Sequence, residues 1–102
     1  MKAVIDPINV MGVVFDVWYV DHGHEGMNDK LGLCEHDHSR VLLTAGYSPE
    51  SERETLMHEV VHLVDTAMRA GLNEKQVLVL SRGLLAVLRG NKHLTKRVLG
   101  EP

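Results

Sequence analysis

The stretch that decides the fold is Thr55-Leu56-Met57-His58-Glu59-Val60-Val61-His62-Leu63-Val64-Asp65, in which two histidines four residues apart flank a glutamate. On an α-helix four residues climb about 6 Å and return to within roughly 40° of the same direction, so both imidazoles can address one ion. Glu59 stands one residue round, beside the position such an ion leaves open. A carboxylate there can take a proton from an activated water and later pass it to a leaving amine, the chemistry of metal-assisted hydrolysis. Chance placement of the seven His and eight Glu of the chain yields roughly 0.04 occurrences of H-E-x-x-H, so the surrounding sequence has to carry the reading.

Outward from the motif, Ser48-Pro49-Glu50 is a helix start, with Ser as N-cap, Pro at the first helical position and an acid in the first turn. Gly71 is a stop signal, and the helix is expected over 49–70. Leu56, Val60, Leu63 and Ala67, joined by Met57, Val61, Val64 and Met68, form a broad apolar face, while His58, His62, Asp65 and Arg69 make a separate polar stripe.

A catalytic zinc site of this kind needs a third protein ligand from outside the His pair. Glu74 is the leading candidate. Asn73-Glu74-Lys75-Gln76 reads as the capped start of a second helix that ends near Gly90, and the short turn around Gly71-Leu72 lets that start fold back towards the histidines. By itself Glu74 reads better as an ordinary acid favoured by the helix dipole. Asp65 is the competitor. It lies about 10 Å along the axis from His58, which favours a role in orienting a ligand, or a surface pair with Arg69, over direct ligation.

The run from Ser48 to Asn91, carrying His58-Glu59-Val60-Val61-His62, Asn73-Glu74-Lys75-Gln76-Val77 and the apolar positions Leu80, Leu84 and Leu85, resembles small phage-encoded zincin-like proteins, which are similar to the ImmA/IrrE group of metallopeptidases. The resemblance covers about half of the chain. It implies a zinc-dependent peptidase in which the Glu opening the second helix, here Glu74, is the third zinc ligand beside His58 and His62, and Glu59 is general base and acid. The separation of Glu74 from His62, 12 residues, is shorter than in the larger members, and their Met-Pro segment after the helix is absent. Asp65 therefore stays open as an alternative third ligand.

Before the motif the period changes. From Val10 to Val20 the alternation of Val13, Phe15, Val17 and Tyr19 with Val14, Asp16, Trp18 and Val20 reads as a strand; 21–30 reads as a loop; Leu31 to Glu35 and Arg40 to Ala45 read as a hairpin around His36-Asp37-His38-Ser39. The expected fold class is α+β: a minimal zincin-like domain over 1–102, with a small antiparallel sheet of about three strands packed on the H-E-x-x-H helix, then a second helix and a short C-terminal helical segment. By analogy with zincins, Val41 to Ala45 is expected to line the substrate groove.

Composition is that of an ordinary globular chain, with 44% hydrophobic and 25% charged residues and a net charge of −3. No basic cluster argues for nucleic acid, and no apolar run is long enough for a signal peptide or membrane span, so the expectation is a cytoplasmic protein, in the host cytoplasm if phage-encoded, acting on a peptide or protein. The lone Cys34 excludes an intrachain disulfide; it reads as a small packed residue, with a thiolate ligand the alternative. His22 with His24, and His36 with His38, are H-x-H pairs in loops, read as solvated side chains, with a second metal site, or His36 or His38 in place of Glu74, as the other readings. Two functions follow: a gluzincin-like zinc metallopeptidase, or a catalytically weak or inactive zincin-fold protein that binds metal and serves interaction or regulation.

Overall fold

The computed structural model describes residues 2–102. Its elements are strands β1 (Lys2–Val10), β2 (Val13–Val20), β3 (Gly32–Glu35) and β4 (Arg40–Thr44), followed by helices α1 (Pro49–Met68), α2 (Glu74–Gly90) and α3 (Leu94–Leu99), with one 3-10 turn at His36–His38 between β3 and β4. The class is α+β. The sheet differs from expectation in strand number and direction, having four strands in the order β1-β2-β4-β3 with β2 and β4 parallel.

The additional strand is β1. Pro7 and two register shifts interrupt its pairing with β2, so it carries no clean alternation, and at the edge of the sheet the missing N–H of Pro7 is tolerated. What reads as one strand from Val10 to Val20 is a hairpin arm and its turn. Met11 and Gly12 both take positive φ, at 52° and 91°, which suits a two-residue turn between right-twisted strands, and the Asn9 side chain accepts the Gly12 N–H at 2.8 Å.

The position of β4 follows from its own composition. Val41, Leu42, Leu43 and Thr44 are all buried, so this strand has no solvent face and must lie inside the sheet with cover on both sides. It is inserted between β2, with Val17 opposite Val41, and β3, with Cys34 opposite Val41 and Gly32 opposite Leu43. One face of the sheet, carrying Phe15, Val17, Val41 and Leu43, packs on Leu63 of α1. The other, carrying Val20 and Leu42, is closed by Met27 from the loop that precedes β3, with Trp18 and Leu33 alongside. Full burial of each such side chain contributes about 1.5–3 kcal/mol before entropy is counted.

The helix ends are set locally. Ser48 Oγ accepts the Ser51 N–H at 3.1 Å and Pro49 opens α1, which stops at Met68, two residues short of the expected limit, because Arg69 turns left-handed at φ 54°. Asn73 and Gln76 form a reciprocal capping box at the start of α2, each bonding the backbone N–H of the other. Arg89, near the end of α2, holds both carboxylate oxygens of Glu50 in the first turn of α1 at 2.6 and 2.8 Å, consistent with an antiparallel helix pair. Among the described residues no helix is long and apolar enough to cross a membrane.

Candidate metal centre

His58 and His62 project from α1 on one side, their ring centroids 4.9 Å apart. The capping box starts α2 at Glu74, so that this side chain leaves the first turn of α2 facing them. Its two oxygens divide between the rings: His58 Nε2 lies 2.6 Å from Oε1 and His62 Nε2 lies 3.1 Å from Oε2. Ligand atoms of the three residues all fall within 4.8 Å of one another. Burial alone would raise the Glu74 pKa, but the His58 hydrogen bond, the charges of both histidines and the His62 hydrogen bond outweigh it and hold the carboxyl below its ordinary value.

The donor set fits zinc. Two imidazole nitrogens and one carboxylate oxygen are the ligands of a catalytic zinc site, and tetrahedral bonds of about 2.0–2.1 Å put ligand atoms about 3.3 Å apart. The Glu74 oxygens now stand at hydrogen-bonding distances of 2.6 and 3.1 Å from the rings and the whole set lies within 4.8 Å, so an ion requires a small readjustment, for which the Glu74 side chain, 70% exposed, has room. Both histidines are half-buried, which limits the directions their rings can take.

Asp65 stands outside this group. Its Oδ1 accepts the backbone N–H of Leu72 at 3.0 Å, tying the end of α1 to the turn that aims α2. Among the described residues no other group of three or more His, Cys, Asp or Glu side chains gathers in this way, so His22, His24, His36 and His38 form no second cluster. His36 packs edge-on against Phe15, with ring centroids 6.2 Å apart, and also lines the cleft that holds the His58, His62 and Glu74 cluster without joining that cluster.

Glu59 is turned towards the sheet and is only 6% exposed. The Cys34 thiol donates to its Oε1 at 3.2 Å. Burial, then the charge of Glu59 and its hydrogen bond, push the Cys34 thiol well above its ordinary range, which suits a protonated donor to Glu59, and Cys34 does not join the cluster of His58, His62 and Glu74. Gly32, two residues earlier on the same side of β3, makes the approach possible. A Cβ there would lie 2.6 Å from Thr55 Cγ2 and 3.0 Å from Glu59 Oε2. Sequence reading gave neither Gly32 nor Cys34 a part in holding Glu59; the usable signal was the i, i+2 spacing of a glycine and a cysteine on a strand next to the motif helix.

His58, Glu59, His62 and Glu74 line one cleft of about 670 Å³, whose opposite wall is formed by Leu31, Gly32, Leu33 and Cys34. The groove wall is therefore β3, one of the two edge strands of the sheet. Val41 to Ala45 does not serve, because β4 is hydrogen-bonded to strands on both sides and has no edge to offer. Ser81 and Arg82 of α2 also line the cleft.

Comparison of the chain with protein-family models, with curated proteins and with solved structures finds no match.

Proposed function

We propose that this chain is a minimal zinc-dependent peptidase of the zincin type, similar to the ImmA/IrrE group, acting on a peptide or protein. The observation that carries the reading is the convergence of His58, His62 and Glu74 within 4.8 Å, in the same cleft as the buried carboxylate of Glu59. His58 Nε2, His62 Nε2 and the Glu74 carboxylate would hold the ion. When bound, zinc supplies Lewis-acid polarisation of a carbonyl and lowers the pKa of water towards neutrality.

The rest is the work of the chain. Glu59 accepts the proton of the attacking water on a carboxylate oxygen and returns it to the amine that leaves when the peptide C–N bond breaks. The Cys34 thiol, donating to Oε1, restrains that carboxylate against rotation. Asp65, through Leu72 N–H, fixes the turn that delivers Glu74. Leu31 to Cys34 present a strand edge along the cleft, against which an extended peptide can lie with its carbonyl near the histidines.

A second reading is favoured by the same burial of Glu59. A carboxylate packed against β3 and bonded to a thiol also suits a protein that retains the metal site for stability and has lost turnover. One comparison separates the two. Zinc-loaded wild type should cleave an unfolded protein substrate, while Glu59→Gln binds zinc equally and loses about 10² to 10⁴ in rate. Equal hydrolysis by both forms, with contaminating proteases excluded, rejects the mechanism; no hydrolysis by either favours the second reading.

A further inference from the structure

The cleft extends past the metal cluster to an end that holds two cationic side chains, Lys30 and Arg82. Their level along α1 follows from the contacts of the elements that carry them. Glu74 meets His58 and His62, and Arg89 meets Glu50, so α2 runs antiparallel to α1, and Arg82, about midway between those contacts, passes the level of Glu54 and Thr55. On the opposite wall a Cβ at Gly32 would lie 2.6 Å from Thr55 Cγ2, and Lys30 stands two residues before Gly32, its carbonyl accepting the Thr44 hydroxyl. The two cations therefore flank the same end of the cleft, one from each wall. Among the described residues neither makes an ion pair. One acid, Glu54, lines that end and is also unpaired there, whereas Glu50 and Glu52 are engaged by Arg89 and Tyr19. Two cations against one acid leave the end positive, in a chain whose net charge is −3.

We propose that Lys30 and Arg82 form a carboxylate subsite of the cleft, which selects peptides bearing a carboxylate a few residues from the bond cleaved; the inference rests on the peptidase reading of the metal centre. Glu74, Leu78 and Arg82 all line the cleft and follow one another at four-residue intervals, so a single stripe of α2 carries a metal ligand, an apolar step and a cation. Eight residues span about 12 Å of helix, and helical side chains lean towards the N-terminus, which brings the guanidinium back towards Glu74. An extended peptide lying along β3 rises about 3.3 Å per residue, so the group that meets Arg82 sits about two to four residues from the carbonyl over the histidines. Arginine presents paired N–H donors that match the two oxygens of a carboxylate, and lysine adds a mobile point charge from the other wall. Leu78 lies beneath the residues between. The carboxylate has two sources, an Asp or Glu side chain or the free C-terminus of the peptide, and the chemistry of recognition is the same for both.

The test is equilibrium binding of short Ala/Ser/Gly peptides, carrying a neutral fluorophore, to the zinc-loaded full chain with Glu59→Gln, which separates recognition from turnover. Should Glu59→Gln fail to fold, chelator-treated wild type takes its place. One set of peptides carries a single Glu at successive positions and an amidated C-terminus; the other carries no Glu and ends in a free carboxylate or an amide. Peptides with Glu at one or two adjacent positions, or with the free carboxylate, should bind about tenfold more tightly than the neutral amide, and the set that gains names the source. Lys30→Gln and Arg82→Gln should each reduce that advantage, Arg82→Lys should keep part of it, Glu54→Gln should enlarge it, and Arg82→Glu should reverse it in favour of peptides with Lys at the same position. Zinc affinity by chelator competition and helical circular dichroism should stay unchanged in these variants, since none of the three residues belongs to the metal cluster. Equal binding of acidic and neutral peptides, no binding of any, or a preference that survives Arg82→Glu overturns the proposal. Wild-type cleavage of acidic and neutral peptides at equal kcat/KM overturns the subsite and spares the peptidase reading, whereas a carboxylate preference in a protein that cleaves none of them supports the subsite and goes against that reading.

Discussion

Cys34 and Glu59 are joined across the boundary between the sheet and the motif helix, with Sγ 3.2 Å from Oε1, and this bond gives the buried carboxylate a donor from the strand that walls the cleft. A buried acceptor that loses its partner costs about 1–3 kcal/mol. Cys34→Ala should therefore lower stability by that order, and Cys34→Ser, which keeps a donor, should restore part of it. Urea denaturation of the three forms measures the difference.

The same pair makes a pH prediction. The folded thiol has its pKa raised by burial first and by Glu59 second, so its contribution to stability is complete below the ordinary value of 9.0 and is lost as pH rises beyond it. Thiolate absorbance near 240 nm should step at about the ordinary value of 9.0 in the unfolded protein and show no step there in the native one. Coincident steps in the two states would contradict the buried bond.

Gly32 sets how closely β3 approaches α1. A Cβ at 2.6 Å from Thr55 Cγ2 must displace either the strand or the helix, so Gly32→Ala should destabilise by about 1–3 kcal/mol. Thr55→Ser, which removes that methyl, should recover part of the loss when combined with Gly32→Ala. Additive losses in the thermal unfolding of the double mutant would show that the contact is not the cause.

Glu74 and Asp65 should separate in zinc affinity. Glu74→Ala removes an atom of the cluster itself, whereas Asp65→Ala removes only the acceptor for Leu72 N–H and should chiefly cost about 1 kcal/mol of stability. Chelator competition should rank Glu74→Ala as the weaker zinc binder; the reverse order would give the ligand role to Asp65.

Tyr19 Oη donates to Glu52 Oε2 at 2.5 Å, and this hydrogen bond, with burial and the carboxylate charge behind it, raises the phenol pKa above 10.0. The contribution of the neutral phenol to stability is present below pH 10 and lost above it. Ultraviolet titration should place one of the two tyrosines above that value and find it lowered in Glu52→Gln. An unchanged curve in the mutant would remove the bond as cause.

Much of the helical half was legible because its signals are local. Ser48-Pro49, Asn73 with Gln76, and the i, i+4 histidines act within one turn of chain, and their spacing alone determines cap, start and shared direction. The β3–β4 hairpin was legible for the same reason. β1 was not, since Pro7 and an irregular register hide its alternation.

The sequence by itself determined that His58 and His62 share a face, that Glu59 lies between them, and that Glu74 opens the next helix. Only the tertiary structure decided that Glu74 and not Asp65 meets the histidines, and that β3 and not β4 walls the cleft. It also decided that Gly32 and Cys34 hold Glu59. The physical reason is the range of the forces involved. Caps and helical period act over a few residues, whereas strand order is settled by which strand can be covered on both faces, and the buried run Val41 to Thr44 takes the interior and leaves the edge to Gly32–Glu35.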